Sequence, residues 1–219
     1  MRWDYRPILL GSVMTRRVLL TGFEPFGGAR SNPSSDLAER LDGQRLHGRT
    51  VVGTTLPVAF GVAGRQLQRA IRLHDPELVI CLGLAGGRQH LSLERIAVNI
   101  DDARIPDNRG QQPIDRPIRQ TGPAAYFSSL PIKAMHRSLN QRGWPVEISN
   151  TAGTYVCNHV FYCLIHALRR RPGVRGGFIH LPKTKRAFDL DAMATALRAG
   201  IITALRVRQD INVSAGRED

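Results

Sequence analysis

Short, near-continuous apolar runs alternate with amphipathic stretches along this 219-residue chain. The runs Val18–Thr21, Thr50–Leu56, Leu78–Leu84, Arg95–Ile100, Val146–Ser149 and Gly177–Leu181 are bounded by Gly, Pro or polar clusters and predict strands. Segments such as "LVICLGL" are apolar at successive positions, as in strands covered on both faces. Helical periodicity falls between them. "SSDLAERL" has a serine start, "VAGRQLQRAIRLH" stops before Pro76, and "PIKAMHRSLNQRG" ends on glycine. "TYVCNHVFYCLIHALRR" ends before Pro172, and "LDAMATALRAGIITALRVRQ" carries an aspartate near its start. The alternation predicts an α/β fold: one domain, a three-layer α/β/α sandwich with a mostly parallel, twisted central sheet. Residues 14–213 are expected to form that domain. Met1–Val13, upstream of a second methionine, reads as an extension outside the fold, and 214–219 as a tail. Asp101–Pro123 lacks periodicity, and so long a loop in a compact domain is often functional.

Composition narrows the class only modestly. Hydrophobic content of 42% and charged content of 22% are those of an ordinary globular chain with a substantial core. No stretch approaches the roughly 18–20 uninterrupted apolar residues of a membrane span, so no membrane partner is expected. The opening residues lack a small-residue cleavage signal, which argues against secretion. Three cysteines without paired spacing argue against a disulfide scaffold and for a cytoplasmic, reducing location. A net charge of +13 raises nucleic acid as a partner. The basic residues are scattered, however, with only Arg16-Arg17 and Arg169-Arg170-Arg171 adjacent, and aromatics are not interleaved with them. A solvated basic surface is the better reading.

The first strand breaks into "TGFEPFGG", where Gly22 and Gly27 have the G-x-x-x-x-G spacing of a phosphate loop but Gly28-Ala29 follow in place of Lys-Ser/Thr. Pro25 has no N–H to offer a phosphate, and Glu24 would repel one. What the loop offers is Phe23 and Phe26, which either tuck into the core or face an uncharged ligand.

A second turn, "ISNTAGTYVCNHV", places Cys157 in the first turn of a helix. The free N–H groups and dipole there favour a thiolate and could hold an oxyanion. Cys81, in an apolar run, and Cys163, mid-helix, read as buried small hydrophobes. A nucleophilic cysteine needs a base oriented by a third group. His47, His74, His90 and His136 lie in polar segments, and His159 and His166 lie on the cysteine's own helix as surface or packing groups. His180 sits near the end of "GGFIHLP", a buried strand, where an α/β enzyme would place a base. For the third member, Glu94, at the opening of the strand "RIAVNI", and Asp101, Asp102 and Asp107 are candidates; a carboxylate at such an edge either fixes an imidazole or makes a structural ion pair with an arginine such as Arg95, and spacing does not choose. No His/Cys/Asp cluster has metal-ligand spacing, so neither metal nor cofactor is expected.

With these residues in hand, the chain resembles the pyroglutamyl peptidase I family of cysteine peptidases, which remove N-terminal pyroglutamate from peptides. The resemblance rests on "LLTGFEPFGG" with "NPS", "AGGR" with "ERIAVNIDDARIPDNRG", "GPAAYFSSLPIK", "TAGTYVCNHVFY" and "GGFIHLP", in order over Arg17 to Val207. It implies Cys157 as nucleophile, His180 as base and Glu94 as the acidic member, with Phe23 and Phe26 forming part of the ring pocket beside Leu84 and Val156. Arg104 matches a family arginine close to the triad, in an oxyanion or supporting role. The resemblance also implies peptide substrates bearing an N-terminal pyroglutamate and a homo-oligomer, dimer or tetramer. Two departures stand out. The family usually reads Gly-Gln-Ala-Gly-Gly-Arg where this chain has Gly83-Leu84-Ala85-Gly86-Gly87-Arg88, which leaves open a respecified or weakened homologue. The "KTKRAF" connection after His180 is also shorter than usual.

Overall fold

The computed structural model describes residues 16–184 and 188–215, so Met1–Val13 and part of the "KTKRAF" connection lie outside the described residues. Among the described residues the strands are β1 (Arg17–Phe23), β2 (Arg45–Leu46), β3 (Arg49–Leu56), β4 (Leu78–Leu84), β5 (Leu91–Glu94), β6 (Ile96–Val98), β7 (Ala125–Phe127), β8 (Val146–Ser149) and β9 (Arg175–Leu181). The helices are α1 (Pro33–Leu41), α2 (Val62–His74), α3 (Ile132–Asn140), α4 (Val156–Leu168) and α5 (Leu190–Arg206).

The main sheet has the order β2-β3-β1-β4-β9-β5-β8. Strands β3, β1, β4 and β9 run parallel, β2 opposes them at one edge, and the parallel pair β5–β8 opposes them at the other. The apolar runs of β1, β4 and β9 are central because helices cover both faces. Alternate residues such as Leu20, Ile80 and Ile179 enter a core shared with α1, α3 and α5. The residues between them, such as Leu19, Cys81 and Phe178, enter a second core under α2 and α4.

Two expectations need correction. Glu94 does not open one long strand over Arg95–Ile100; it closes β5, and the chain changes sheets at Arg95. The Arg95 N–H donates to the Ser149 carbonyl on the main-sheet side, while its own carbonyl accepts from Ser128 N–H beside β7. The alternation of Ile96 and Val98 therefore belongs to a small second sheet, β6–β7. In α1 the helix begins earlier than its serines, because Asn32 Oδ1 caps the Ser34 N–H and Pro33 occupies the first turn.

The aperiodic 101–123 segment is held by side chains in place of a ladder. Asp107 accepts from the N–H groups of Phe60, Arg109 and Gln111, and Asn108 donates to Glu24 and to the Pro25 carbonyl. Asn158 on α4 accepts from the Val98 N–H and donates to the carbonyls of Val98 and Ile100.

Candidate active site

The glycine-rich loop after β1 leaves no cradle for a phosphate. A side chain at Gly22 would run into the Ser34 carbonyl, so this glycine allows α1 to approach the strand. The Phe23 N–H is already donated to Ser34 Oγ. Glu24 Oε1 accepts from the Val58 N–H and from Asn108 Nδ2, a carboxylate used to fasten loops together. Phe23 is 2% exposed and packs on Phe178, whereas Phe26 is half-buried and leans toward Tyr155. Both outcomes left open for these rings occur at once: Phe23 belongs to the core, and its edge still lines a slot shared with Phe26.

The register of the sheet brings the other candidates together. Gly83 on β4 pairs with His180 on β9, and paired residues of parallel strands project from the same face. That face is covered by α4, whose first turn carries Cys157. A Cβ added to Gly83 would lie 3.0 Å from Cys157 Sγ and 2.8 Å from the Phe178 ring, so the bare glycine makes room for the sulfur above the sheet. His180 Nδ1 lies 2.7 Å from Glu94 Oε1, and Glu94 is fully buried. The same oxygen takes Arg88 Nη1 at 2.6 Å, and Arg88 Nη2 donates to the Thr151 carbonyl. Glu94 Oε2 is buried with no hydrogen-bond partner among the described residues.

Cys157 and His180 open into one cavity of about 650 Å³, whose wall includes Leu84, Asp102, Arg104 and Tyr155. Beside Cys157 a narrow slot of about 10 Å³, room for roughly one water, is lined by Phe23, Phe26, Val58, Leu84, Tyr155 and Val156. Arg104 is exposed at the cavity mouth.

A family model described as pyroglutamyl peptidase matches residues 16–207. The chain belongs to the pyroglutamyl peptidase family. It is 50% identical to a pyrrolidone-carboxylate peptidase of Klebsiella pneumoniae, over 91% of this chain and 96% of that one. It superimposes on the pyroglutamyl peptidase I of Bacillus amyloliquefaciens with a TM-score of 0.88 at 41% identity, covering 92% of this chain and 100% of that one. The pyrrolidone carboxyl peptidase of Thermococcus litoralis gives 0.87 at 37% identity, with coverage of 91% and 100%.

Against this family background, one electrostatic expectation is reversed. The helix N-terminus was expected to lower the Cys157 pKa. Burial instead pushes the thiol up to about 12, with the charge of Glu94 adding to the rise and Arg88 opposing it. The dipole of one helix end is worth up to about 2 kcal/mol, and here it is opposed by the desolvation of a partly buried sulfur packed near the Phe178 ring and by the Glu94 charge. Tyr155 at the helix N-cap makes no side-chain cap bond, so the first backbone N–H groups of α4 remain available to an incoming oxygen.

The competing acids separate cleanly. Asp101 pairs with His159, Asp107 organises its loop, and Asp102 faces the cavity without reaching His180, which Glu94 holds. Arg88 joins the site only through the fold, by its contacts to Glu94 and the Thr151 carbonyl. It was visible in "AGGR", but nothing in the spacing connects it to a carboxylate on the next strand.

Proposed function

We propose that this chain hydrolyses the bond after an N-terminal pyroglutamyl residue by acyl transfer through Cys157. The observation that carries the proposal is a cysteine at an uncapped helix N-terminus, sharing one cavity with a strand-end histidine whose Nδ1 is bonded to a buried glutamate. The Glu94 contact at Nδ1 leaves His180 Nε2 as the acid–base nitrogen. In the first step Nε2 takes the Cys157 proton as Sγ attacks the pyroglutamyl carbonyl carbon, and the carbonyl oxygen becomes an oxyanion beside the α4 N–H groups. His180 then returns the proton to the departing amine, leaving a thioester. Water, deprotonated by the same nitrogen, attacks the thioester carbon and releases pyroglutamate and the free thiol. Burial and the Glu94 charge raise the thiol pKa, which favours attack assisted by a general base over attack by a preformed thiolate.

Arg88 acts as a positioning residue. It supplies the counter-charge to a buried carboxylate and fixes which oxygen faces the imidazole. Gly27 and Gly28, both with positive φ, form the turn after Phe26, whose ring lines the slot proposed to take the lactam. The apolar walls suit a small uncharged ring and exclude a protonated amine, which would be desolvated there without a partner. Leu84, which lines both slot and cavity, contributes no hydrogen bond to the ring carbonyl. Arg104 supports the developing charge from the mouth. A cytoplasmic homo-oligomer, dimer or tetramer, completes the reading on the strength of the family resemblance, and sedimentation of the purified chain tests it.

The direct test is release of the fluorophore from a pyroglutamyl amide compared with the matching prolyl amide. Turnover of the pyroglutamyl substrate that disappears in Cys157→Ala supports the proposal. No turnover, or a preference for the prolyl substrate, contradicts it.

A further inference from the structure

At the opposite end of α4 from Cys157, roughly 15 Å away at the α-helical rise, lies a cleft of about 710 Å³ between α2, the 119–126 segment and the end of α4. Its charge is of one sign. Arg72, Arg119, Arg169, Arg170 and Arg171 line it, and no carboxylate does. Arg171 is paired with Asp75, but among the described residues the other four form no ion pair with an acid. Tyr126 and His166 form its floor, with Tyr126 Oη 2.8 Å from His166 Nδ1, and the buried Tyr162 ring stacks beneath His166 at 18°. Arg169 Nη2 approaches His166 Nε2 at 3.3 Å.

This cleft is not part of the peptidase machinery, and its composition calls for a ligand of opposite charge. Four guanidinium groups with no acidic partner among the described residues line one cleft, and like charges gathered there repel one another. The field is felt at the floor, where burial and then Arg169, Arg119 and Arg170 hold the His166 imidazole below its usual range. Guanidinium forks match phosphate oxygens two at a time. The arginines converge from three elements on one concavity, whereas a nucleic-acid strand calls for an extended track with interleaved aromatics.

We propose that this cleft binds a compact polyphosphate, two or more linked phosphates either free or carried by a nucleotide, between Arg72, Arg119, Arg169 and Arg170. The Tyr126–His166 floor is where a nucleoside would rest.

The test is calorimetric titration of the full chain at about 0.15 M ionic strength with sodium tripolyphosphate, ATP, monophosphate and a single-stranded RNA oligomer. The proposal expects one saturable site for tripolyphosphate, at least about tenfold tighter than monophosphate and weakened at least about tenfold in Arg119→Gln/Arg170→Gln. Pyroglutamyl-amide turnover and the melting temperature should stay near the parent values in that variant. Should it misfold, Arg72→Gln, at an exposed position of α2, carries the same expectation with a smaller loss. ATP binding more tightly than tripolyphosphate assigns the site to nucleotides, and equal binding assigns it to the polyphosphate chain. Absence of saturable binding, equal affinity for monophosphate, unchanged binding in the variants, or RNA affinity that exceeds tripolyphosphate and grows with length overturns the proposal. These readings do not depend on the peptidase assignment.

Discussion

Helix α4 carries two cysteine–histidine–acid constellations, and the contrast between them is instructive. In one, Cys157 faces a cavity with His180, and Glu94 holds His180 from behind. In the other, Cys163 is 5% exposed beside His159, whose Nδ1 is 2.8 Å from Asp101 Oδ2. Residue types alone would not separate them. The second nitrogen does: His159 Nε2 accepts from the Gly61 N–H, while the described residues offer no such backbone donor to His180. Burial disfavours a charged His159, and Asp101 and Cys163 outweigh it and push the imidazole up to about 9. The Gly61 N–H resists that rise, since a doubly protonated ring has no lone pair to accept with. The sealed trio ties α4 to the Asp101 and Gly61 loops. Access, and a free nitrogen on the histidine, turn the same chemistry from a fastening into a candidate site.

The widest gap between the two should come from truncating each cysteine. Cys157→Ala or His180→Ala should lower pyroglutamyl-amide turnover by at least about 10³-fold, whereas Cys163→Ala should leave kcat/KM within about twofold and lower the melting temperature by a few degrees. Comparable losses in both cysteine variants would erase the distinction.

Next in size is Arg88, which has no counterpart in the sealed trio. Arg88→Ala should lower kcat about 10²-fold with KM little changed and displace the pH–rate profile, and Arg88→Lys should recover part of the loss. A variant that only melts earlier, with an unaltered profile, would reduce Arg88 to a structural ion pair. Gly83 comes third: Gly83→Ala crowds Cys157 Sγ and the Phe178 ring, and should cost about 1–3 kcal/mol of stability along with turnover. Unchanged kinetics there would mean that the sulfur does not need the space. The smallest effect concerns selectivity. Leu84→Gln should raise the pyroglutamyl-over-prolyl ratio about five- to tenfold, the worth of one neutral hydrogen bond.

Much of this was legible along the chain, for identifiable reasons. Strands β4 and β9 are apolar at successive positions because helices cover both faces, and α2 announces itself by period and by Pro76 after its end. Cys157 and His180 stand at element ends, where local signals are strongest. Glu94 was harder, because the change of sheet at Arg95 depends on pairing with Ser149 and Ser128, which are distant in sequence. His159 was read as a surface or packing group and is buried against Asp101, 58 residues away. Arg88, Asn158 and Glu24 likewise act through partners brought close only by the fold. The upward push on the Cys157 pKa has the same origin: a helix start can be read locally, but the packing and the Glu94 charge that raise the thiol pKa come from distant residues.

Cys157, and not Cys163, is the thiol proposed to do the chemistry, with its pKa raised by burial. The most direct test is iodoacetamide labelling of the full chain across neutral to alkaline pH, with labelled peptides mapped and residual turnover measured at each time. Turnover should fall in step with labelling of Cys157 alone, at a rate that still rises with pH above neutral, as a thiol pKa raised by burial requires. Loss of turnover that follows labelling of Cys163, or a Cys157 rate already flat at neutral pH, would contradict that assignment.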